Sequence, residues 1–168
     1  MNDGKGLRLA YETAELSPDP STQNGAVLIR SDFTDQILGT GFNTFPPGIE
    51  NHAERWENRA LKYEYVCHAE VSAIINASPF PVDGAVLYVP WYACTTCAKY
   101  IILAGVKAVV GHKQVREFAS SVNPGWDDSV ALGLDMLAEA GVKCRWFNGP
   151  IYEAPKVLVG GEMFDPGL

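Results

Sequence analysis

Apolar residues at positions 7, 9, 11, 14 and 16, with Pro18 and Pro20 beyond them, predict a helix over 7–16 that proline stops. Asn24-Gly25 reads as a turn, and Ala26-Val27-Leu28-Ile29 as a short buried strand. Residues 37–42 read as a second strand, joined to the first as a hairpin through a loop at 31–35. Residues 43–48 form a proline-containing loop, and 50–63, polar and helix-prone, an insertion on the surface above a site. A helix over 68–77 ends at Ser78-Pro79, and a third strand runs over 84–89. A helix over 95–104 closes on Gly105, and a fourth strand follows over 107–111. A long amphipathic helix over 129–140 closes on Gly141 before a fifth strand over 142–147. No element is assigned to 114–126 or to the tail from Asn148. Strands alternating with helices predict a layered α/β domain with helices on both faces of the sheet.

Composition fits one domain spanning 1–168: 47% of residues are apolar and 20% charged, ordinary values for a globular chain. The net charge of −7 lacks the basic stripe that a nucleic-acid surface needs, while leaving room for a single nucleotide. No apolar run reaches membrane-spanning length, and the first residues lack a signal peptide's apolar core. A cytoplasmic setting is therefore expected. Reducing conditions there make the four cysteines, at 67, 94, 97 and 144, metal ligands or buried thiols before disulfides.

The chemistry concentrates in two short motifs, His68-Ala69-Glu70 and Cys94-Thr95-Thr96-Cys97. One imidazole and two thiolates make three ligands for a tetrahedral zinc and leave its fourth position open, as catalytic sites do. Both motifs fall at predicted helix starts, whose partial positive ends favour thiolates and negative charge at the metal. Glu70 is two residues from His68, roughly 200° around a helix, so it is expected to lean over the open position and handle protons. This H-x-E … C-x-x-C spacing is the signature of zinc deaminases, which use metal-activated water against an amino-substituted ring carbon. His52-Ala53-Glu54 repeats the tripeptide, but a charged stretch follows it, whereas Val71, Ala73, Ile74 and Ile75 follow His68. The second copy is expected to be the site.

A wider resemblance surrounds the motifs. Lys62-Tyr63-Glu64-Tyr65-Val66-Cys67-His68-Ala69-Glu70 resembles the K-Y-x-Y-V-C-H-A-E of deoxycytidylate (dCMP) deaminases. Residues 94–105 are similar to that family's C-x-x-C-A-K-x-I-I-x-x-G, Thr22-Gln23-Asn24-Gly25-Ala26 to its T-Q-V-G-A, and Gly41-Phe42-Asn43 with Pro47-Gly48 to its G-Y-N-G-x-P-x-G. The resemblance runs in order over roughly 8–112. It implies a three-layer cytidine-deaminase-like fold with a mixed sheet of about five strands, and hydrolysis of dCMP, or a ring-modified dCMP, to dUMP. It implies zinc on His68, Cys94 and Cys97, Glu70 as proton shuttle, and a homo-oligomer, often a hexamer. By the same resemblance Asn43 binds the deoxyribose hydroxyl. Ala69, Trp91 and Tyr92 are further candidate substrate contacts, the two aromatic rings as walls of a base pocket.

Three departures stand out. Ala93 replaces the family's proline before the first cysteine. Thr44 replaces the glycine after Asn43, in a loop tied to effector binding, so control by dCTP and dTTP is not expected. Residues 114–126 do not match. Other readings remain open: a free-nucleoside deaminase, a tRNA adenosine or a pterin or guanine deaminase, or a catalytically silent zinc fold serving assembly or effector sensing. A second metal could use His52, Cys67 or His112. Cys144, Trp56, Trp126 and Trp146 read as packing, and Arg55, Arg59, Lys62 and Arg116 are phosphate candidates by position alone.

Overall fold

The computed structural model describes residues 1–32 and 34–168; Phe33, in the expected hairpin loop, lies outside them. The chain opens with α1 (Asp3–Ala14), then β1 (Gly25–Ile29) and β2 (Ile37–Phe42). Two short helices, α2 (Ala53–Glu57) and α3 (Arg59–Tyr65), lead to α4 (Ala69–Asn76) and β3 (Val86–Tyr88). The second half holds α5 (Thr95–Leu103), β4 (Ala108–His112), α6 (Lys113–Val122), a 3₁₀ turn at Pro124–Trp126 and α7 (Asp127–Glu139). It closes with β5 (Lys143–Phe147) and a hairpin of β6 (Val157–Val159) and β7 (Glu162–Phe164). The main sheet runs β2-β1-β3-β4-β5. Its β2-β1 and β1-β3 pairs are antiparallel, and β3-β4 and β4-β5 are parallel. The expected five-stranded mixed sheet is therefore present.

Side-chain alternation splits the core in two. Ala26, Leu28, Leu87 and Val109 face α4, α5 and α7, while Val27, Ile29, Tyr88 and Val110 face α1, α6 and the closing hairpin. β1 is apolar on both faces because both are covered. Glycine sets how close α4 comes to the sheet. A Cβ on Gly41 would fall 2.3 Å from Ala73 N and 2.5 Å from Ala69 O. The helix backbone therefore lies directly on β2, which fixes the start of α4 and the residues it carries.

Three expectations change or gain detail. The first helix begins at Asp3, where Asn2 caps the Lys5 amide at 2.9 Å, and stops at Ala14, leaving Leu16 exposed. The helix-prone stretch 50–63 folds as two short helices: Asn58 divides it and its side chain caps the amides of Ala60 and Leu61. Residues 113–122, given no element, form α6, with Val115, Phe118, Ala119 and Val122 turned to the core.

His112 ends β4 and is fully buried. Its Nδ1 accepts from the Tyr11 hydroxyl at 2.7 Å and its Nε2 donates to Gly149 O at 3.0 Å. Burial holds its pKa below the ordinary value, against the hydrogen bond to Gly149 that favours the charged form. The folded chain thus binds this proton less readily than the unfolded chain. The stability carried by neutral His112 is present above the unfolded pKa of about 6.5 and is lost as pH falls toward the folded one. Denaturant unfolding between pH 7.5 and 5.5 should show stability falling with acid. In His112→Gln that slope should be shallower, by at most one proton, about 1.4 kcal/mol per pH unit. Equal slopes in the two proteins would show that His112 does not titrate in this range.

Candidate active site

His68 is the residue that caps the N-terminus of α4, and Cys94 caps that of α5. Ser, Thr, Asp or Asn usually fill such positions by bonding the first free amides. Neither side chain does so here, so both are free for another partner. Cys97 follows one turn into α5, fully buried behind Cys94. His68 Nδ1 lies 3.5 Å from Cys94 Sγ and 3.3 Å from Cys97 Sγ. All three ligand atoms fall within 4.8 Å of one another. Zinc bonds of about 2.3 Å to sulfur and 2.0–2.1 Å to nitrogen, in tetrahedral geometry, set N···S separations of about 3.5 Å. The donor set and its spacing fit zinc. Among the described residues no fourth His, Cys, Asp or Glu joins the group, so the protein does not close the coordination.

Electrostatics follow from this crowding. A hydrogen bond from Cys97 holds the Cys94 thiol down to about 4 against the cost of burial, with His68 helping. Cys97 is pushed up in turn by Cys94 and by burial. Burial pulls His68 down, but its hydrogen bond to Cys94 and the charges of Glu70 and Cys94 outweigh it and leave the imidazole raised. Glu70, in the first turn of α4, is only 2% exposed, and its Oε2 has no hydrogen-bond partner among the described residues. Burial pushes its carboxyl up to about 7, with the His68 charge acting the other way.

His68, Glu70 and Cys94 line a cavity of about 460 Å³. Trp126 is among its lining residues, and its ring meets His68 edge-on at 5.6 Å, Tyr63 at 5.4 Å and Trp91 at 6.4 Å. On the other side Lys62 Nζ contacts Asp19 Oδ2 at 2.6 Å and Ser21 Oγ at 2.9 Å. Asp19 also accepts from Asn43 Nδ2 at 3.0 Å, tying α3 to the loops that flank the first two strands.

A sequence profile described as "Cytidine and deoxycytidylate deaminase zinc-binding region" matches residues 1–113, which carry the whole His-Cys-Cys group. The chain belongs to this family. Zinc is accordingly the metal its cluster takes. Human deoxycytidylate deaminase is 38% identical over 146 residues, spanning 84% of this chain and 76% of the human protein. An uncharacterized deaminase of Aliivibrio fischeri is 34% identical over 146 residues, spanning 84% of this chain and 93% of that one. Among solved structures, the apo dCMP deaminase of cyanophage S-TIM5 superposes with a TM-score of 0.57 at 25% identity. That match covers 84% of this chain and 96% of the phage chain.

Within this deaminase, the structure brings Asn43, His68, Ala69, Glu70, Trp91, Tyr92 and Cys94 to one cavity, with Cys97 just behind. The repeated tripeptide is elsewhere: His52 is exposed and pairs with Glu50 at 2.6 Å, and Glu54 is exposed. Cys67 takes no part in the cluster; its backbone pairs with Thr44, holding the 43–48 loop against the start of α4. Tyr92 reaches the cavity, but its hydroxyl donates to Val109 O at 3.1 Å and its ring packs on Trp146 at 4.4 Å. The missing proline at 93 has a replacement: a Cβ on Gly133 of α7 would lie 2.7 Å from Ala93 O, so that helix presses directly on the turn before Cys94.

Trp56 and Trp126, read from sequence as packing, both line the cavity. Trp126 follows Pro124-Gly125 just ahead of a helix start, a loop position from which a large aromatic ring can reach a site, but that segment matched no family motif. The four phosphate candidates also separate. Arg55 bonds Glu50 O and lies over Tyr65, and Arg116 pairs with Asp127 at 2.6 Å. Neither lines the cavity, whereas Arg59 and Lys62 do.

Proposed function

We propose that this chain hydrolyses dCMP to dUMP and ammonia, with zinc held by His68, Cys94 and Cys97 and with Glu70 as the proton carrier. The observation that carries the reading is the three-ligand cluster with its open side in a cavity where Glu70 Oε2 is buried and unpaired. When bound there, zinc supplies Lewis-acid activation of water and charge stabilisation. Glu70 takes one proton from the attacking water at Oε2 and delivers it to the cytosine ring nitrogen, then takes the second from the hydroxyl added at the ring carbon and delivers it to the departing amine. The helix starts under His68 and Cys94 favour the negative charge that accumulates between them. Trp91 and Trp126 wall the base and exclude bulk water. A silent zinc fold has no use for a buried carboxyl beside its metal ligands with Oε2 unpaired among the described residues, so Glu70 favours catalysis.

The phosphate is assigned to Arg59. Of the two cations lining the cavity among the described residues, Lys62 is already engaged by Asp19, while Arg59 has there a single 3.4 Å contact to Asn123 Oδ1 and lies over the Tyr63 ring. The partners we read are a single nucleotide and further copies of the same chain, in the cytoplasm. Among the described residues, no helix is long and apolar enough to cross a membrane. Tyr100 and Leu103 leave apolar surface exposed on α5, in keeping with self-association.

The test is loss of cytosine absorbance and release of ammonia from dCMP, dCTP and deoxycytidine by zinc-loaded protein. A charge-assisted hydrogen bond contributes about 1.5–3 kcal/mol, so kcat/KM for dCMP should exceed that for deoxycytidine at least about tenfold. Arg59→Gln should erase most of that preference while changing deoxycytidine turnover little. Equal efficiency on nucleoside and monophosphate in the unaltered protein would overturn the monophosphate assignment.

A further inference from the structure

Asn24 and Asn43 stand opposite each other where the β1–β2 ladder ends. The Asn43 amide N–H donates to Asn24 O at 3.1 Å, one step beyond the pair Gly25–Phe42. Residues directly opposed in an antiparallel pair project to the same side, with Cβ atoms about 4.5–5.5 Å apart. Both line the cavity. Their side-chain amides are in different states. Asn43 is engaged throughout: Nδ2 donates to Asp19 Oδ2 at 3.0 Å and to Thr22 O at 2.7 Å, and Oδ1 accepts from Asn24 N at 2.8 Å. One lone pair on Oδ1 remains for a ligand. Asn24 Oδ1 is buried with no hydrogen-bond partner among the described residues.

A buried amide without a partner is a demand on the ligand. A hydroxyl answers it best, because it both donates and accepts and so suits either orientation of the amide. The related motif has valine at this position, T-Q-V-G-A against Thr22-Gln23-Asn24-Gly25-Ala26 here, and valine makes no such demand.

We propose that Asn24 meets a second sugar hydroxyl beside the one Asn43 meets, so that the cavity accepts the ribonucleotide CMP as well as dCMP. The inference rests on the cytosine-nucleotide reading above. The hydroxyls of a ribose sit on adjacent carbons, and two amides side by side on adjacent strands are spaced to take one each. The reaction is unchanged: CMP and water give UMP and ammonia, with the same proton carrier and no added reactant. A site that hydrogen-bonds a substrate hydroxyl disfavours the analogue that lacks it, because its own polar group is then left unpaired.

The experiment measures kcat/KM for CMP and dCMP with zinc-loaded wild type, Asn24→Val and Asn24→Thr, with thermal melts to check folding. Wild type should turn over CMP, and the CMP to dCMP ratio should fall at least about tenfold in Asn24→Val. Asn24→Thr has valine's shape and a hydroxyl, so its ratio should stay closer to wild type. A wild type active on dCMP but inert on CMP overturns the inference and leaves the dCMP reading standing. So does a ratio that Asn24→Val does not move, or one lowered equally by valine and threonine, which would make shape the determinant. A wild type that turns over neither nucleotide removes the parent reading and this inference with it. Should the valine variant fail to fold, CMP turnover by wild type decides alone.

Discussion

Glu70→Gln is expected to keep the fold and its zinc and to lose turnover by about 10²–10⁴-fold or more. The side chain is buried in the first turn of α4, beside the ligand cluster, and Oε2 has no partner to lose among the described residues. Glutamine has the same shape, so packing against the helix start survives. Its amide cannot take up or release a proton at this position, so only proton transfer is removed. Stability should therefore stay near wild type while kcat collapses. Glu54→Gln provides the control, because the same tripeptide occurs there with its carboxylate exposed on α2. That variant should be nearly silent. Loss of activity in Glu54→Gln with retention in Glu70→Gln would mean that the wrong His-Ala-Glu has been assigned. Steady-state kinetics with metal analysis on the same samples separates proton transfer from metal loss.

The two tripeptides also show how far the sequence speaks. Their first three letters are identical, and what distinguishes them is the next turn: charged residues after His52, and a buried helix face after His68. Period and composition were sufficient there, and equally for the five main strands, whose apolar runs are short and bounded by turns. The ligand cluster was legible for a different reason. Metal chemistry restricts residue type and spacing so tightly that few alternatives remain.

Contacts made across the fold were not legible. Lys62 is a phosphate candidate in sequence by position alone and otherwise reads as a solvated surface charge, yet Asp19, 43 residues earlier, engages its ammonium in the interior. Asn43 looks free to hold a sugar, yet three backbone and side-chain partners occupy most of its amide. Trp126 reaches His68 only because α6 and the 3₁₀ turn fold back over the site. Two other omissions had signals in the chain. Val115, Phe118, Ala119 and Val122 recur at helical spacing, and Gly160-Gly161, both at positive φ, make the two-residue turn between β6 and β7. Both fell outside the matched motifs, and local pattern was outweighed by the absence of resemblance.

Removal of zinc is expected to abolish turnover and to lower Tm by on the order of 10 °C. Protein purified without added metal should carry close to one zinc per chain, since among the described residues one three-ligand group is present. The site joins the starts of α4 and α5, two helices on the same face of the sheet, so the metal ties elements that otherwise meet through side-chain packing alone. A ligand that binds only the folded state stabilises it by about 4 kcal/mol when its concentration is a thousand times its Kd. For a chain of this size each kcal/mol moves Tm by about 2–4 °C. Chelation also leaves a crowded group of two thiols and an imidazole, buried with less than its full complement of partners. Cys97→Ala should reproduce the loss of metal, activity and Tm, because that sulfur is fully buried and no neighbouring residue among those described can replace it as a ligand. Cys67→Ala and Cys144→Ala should keep one zinc, since neither thiol enters the cluster. Chelated protein with undiminished turnover would overturn the site, and zinc lost from Cys67→Ala but retained in Cys97→Ala would move it.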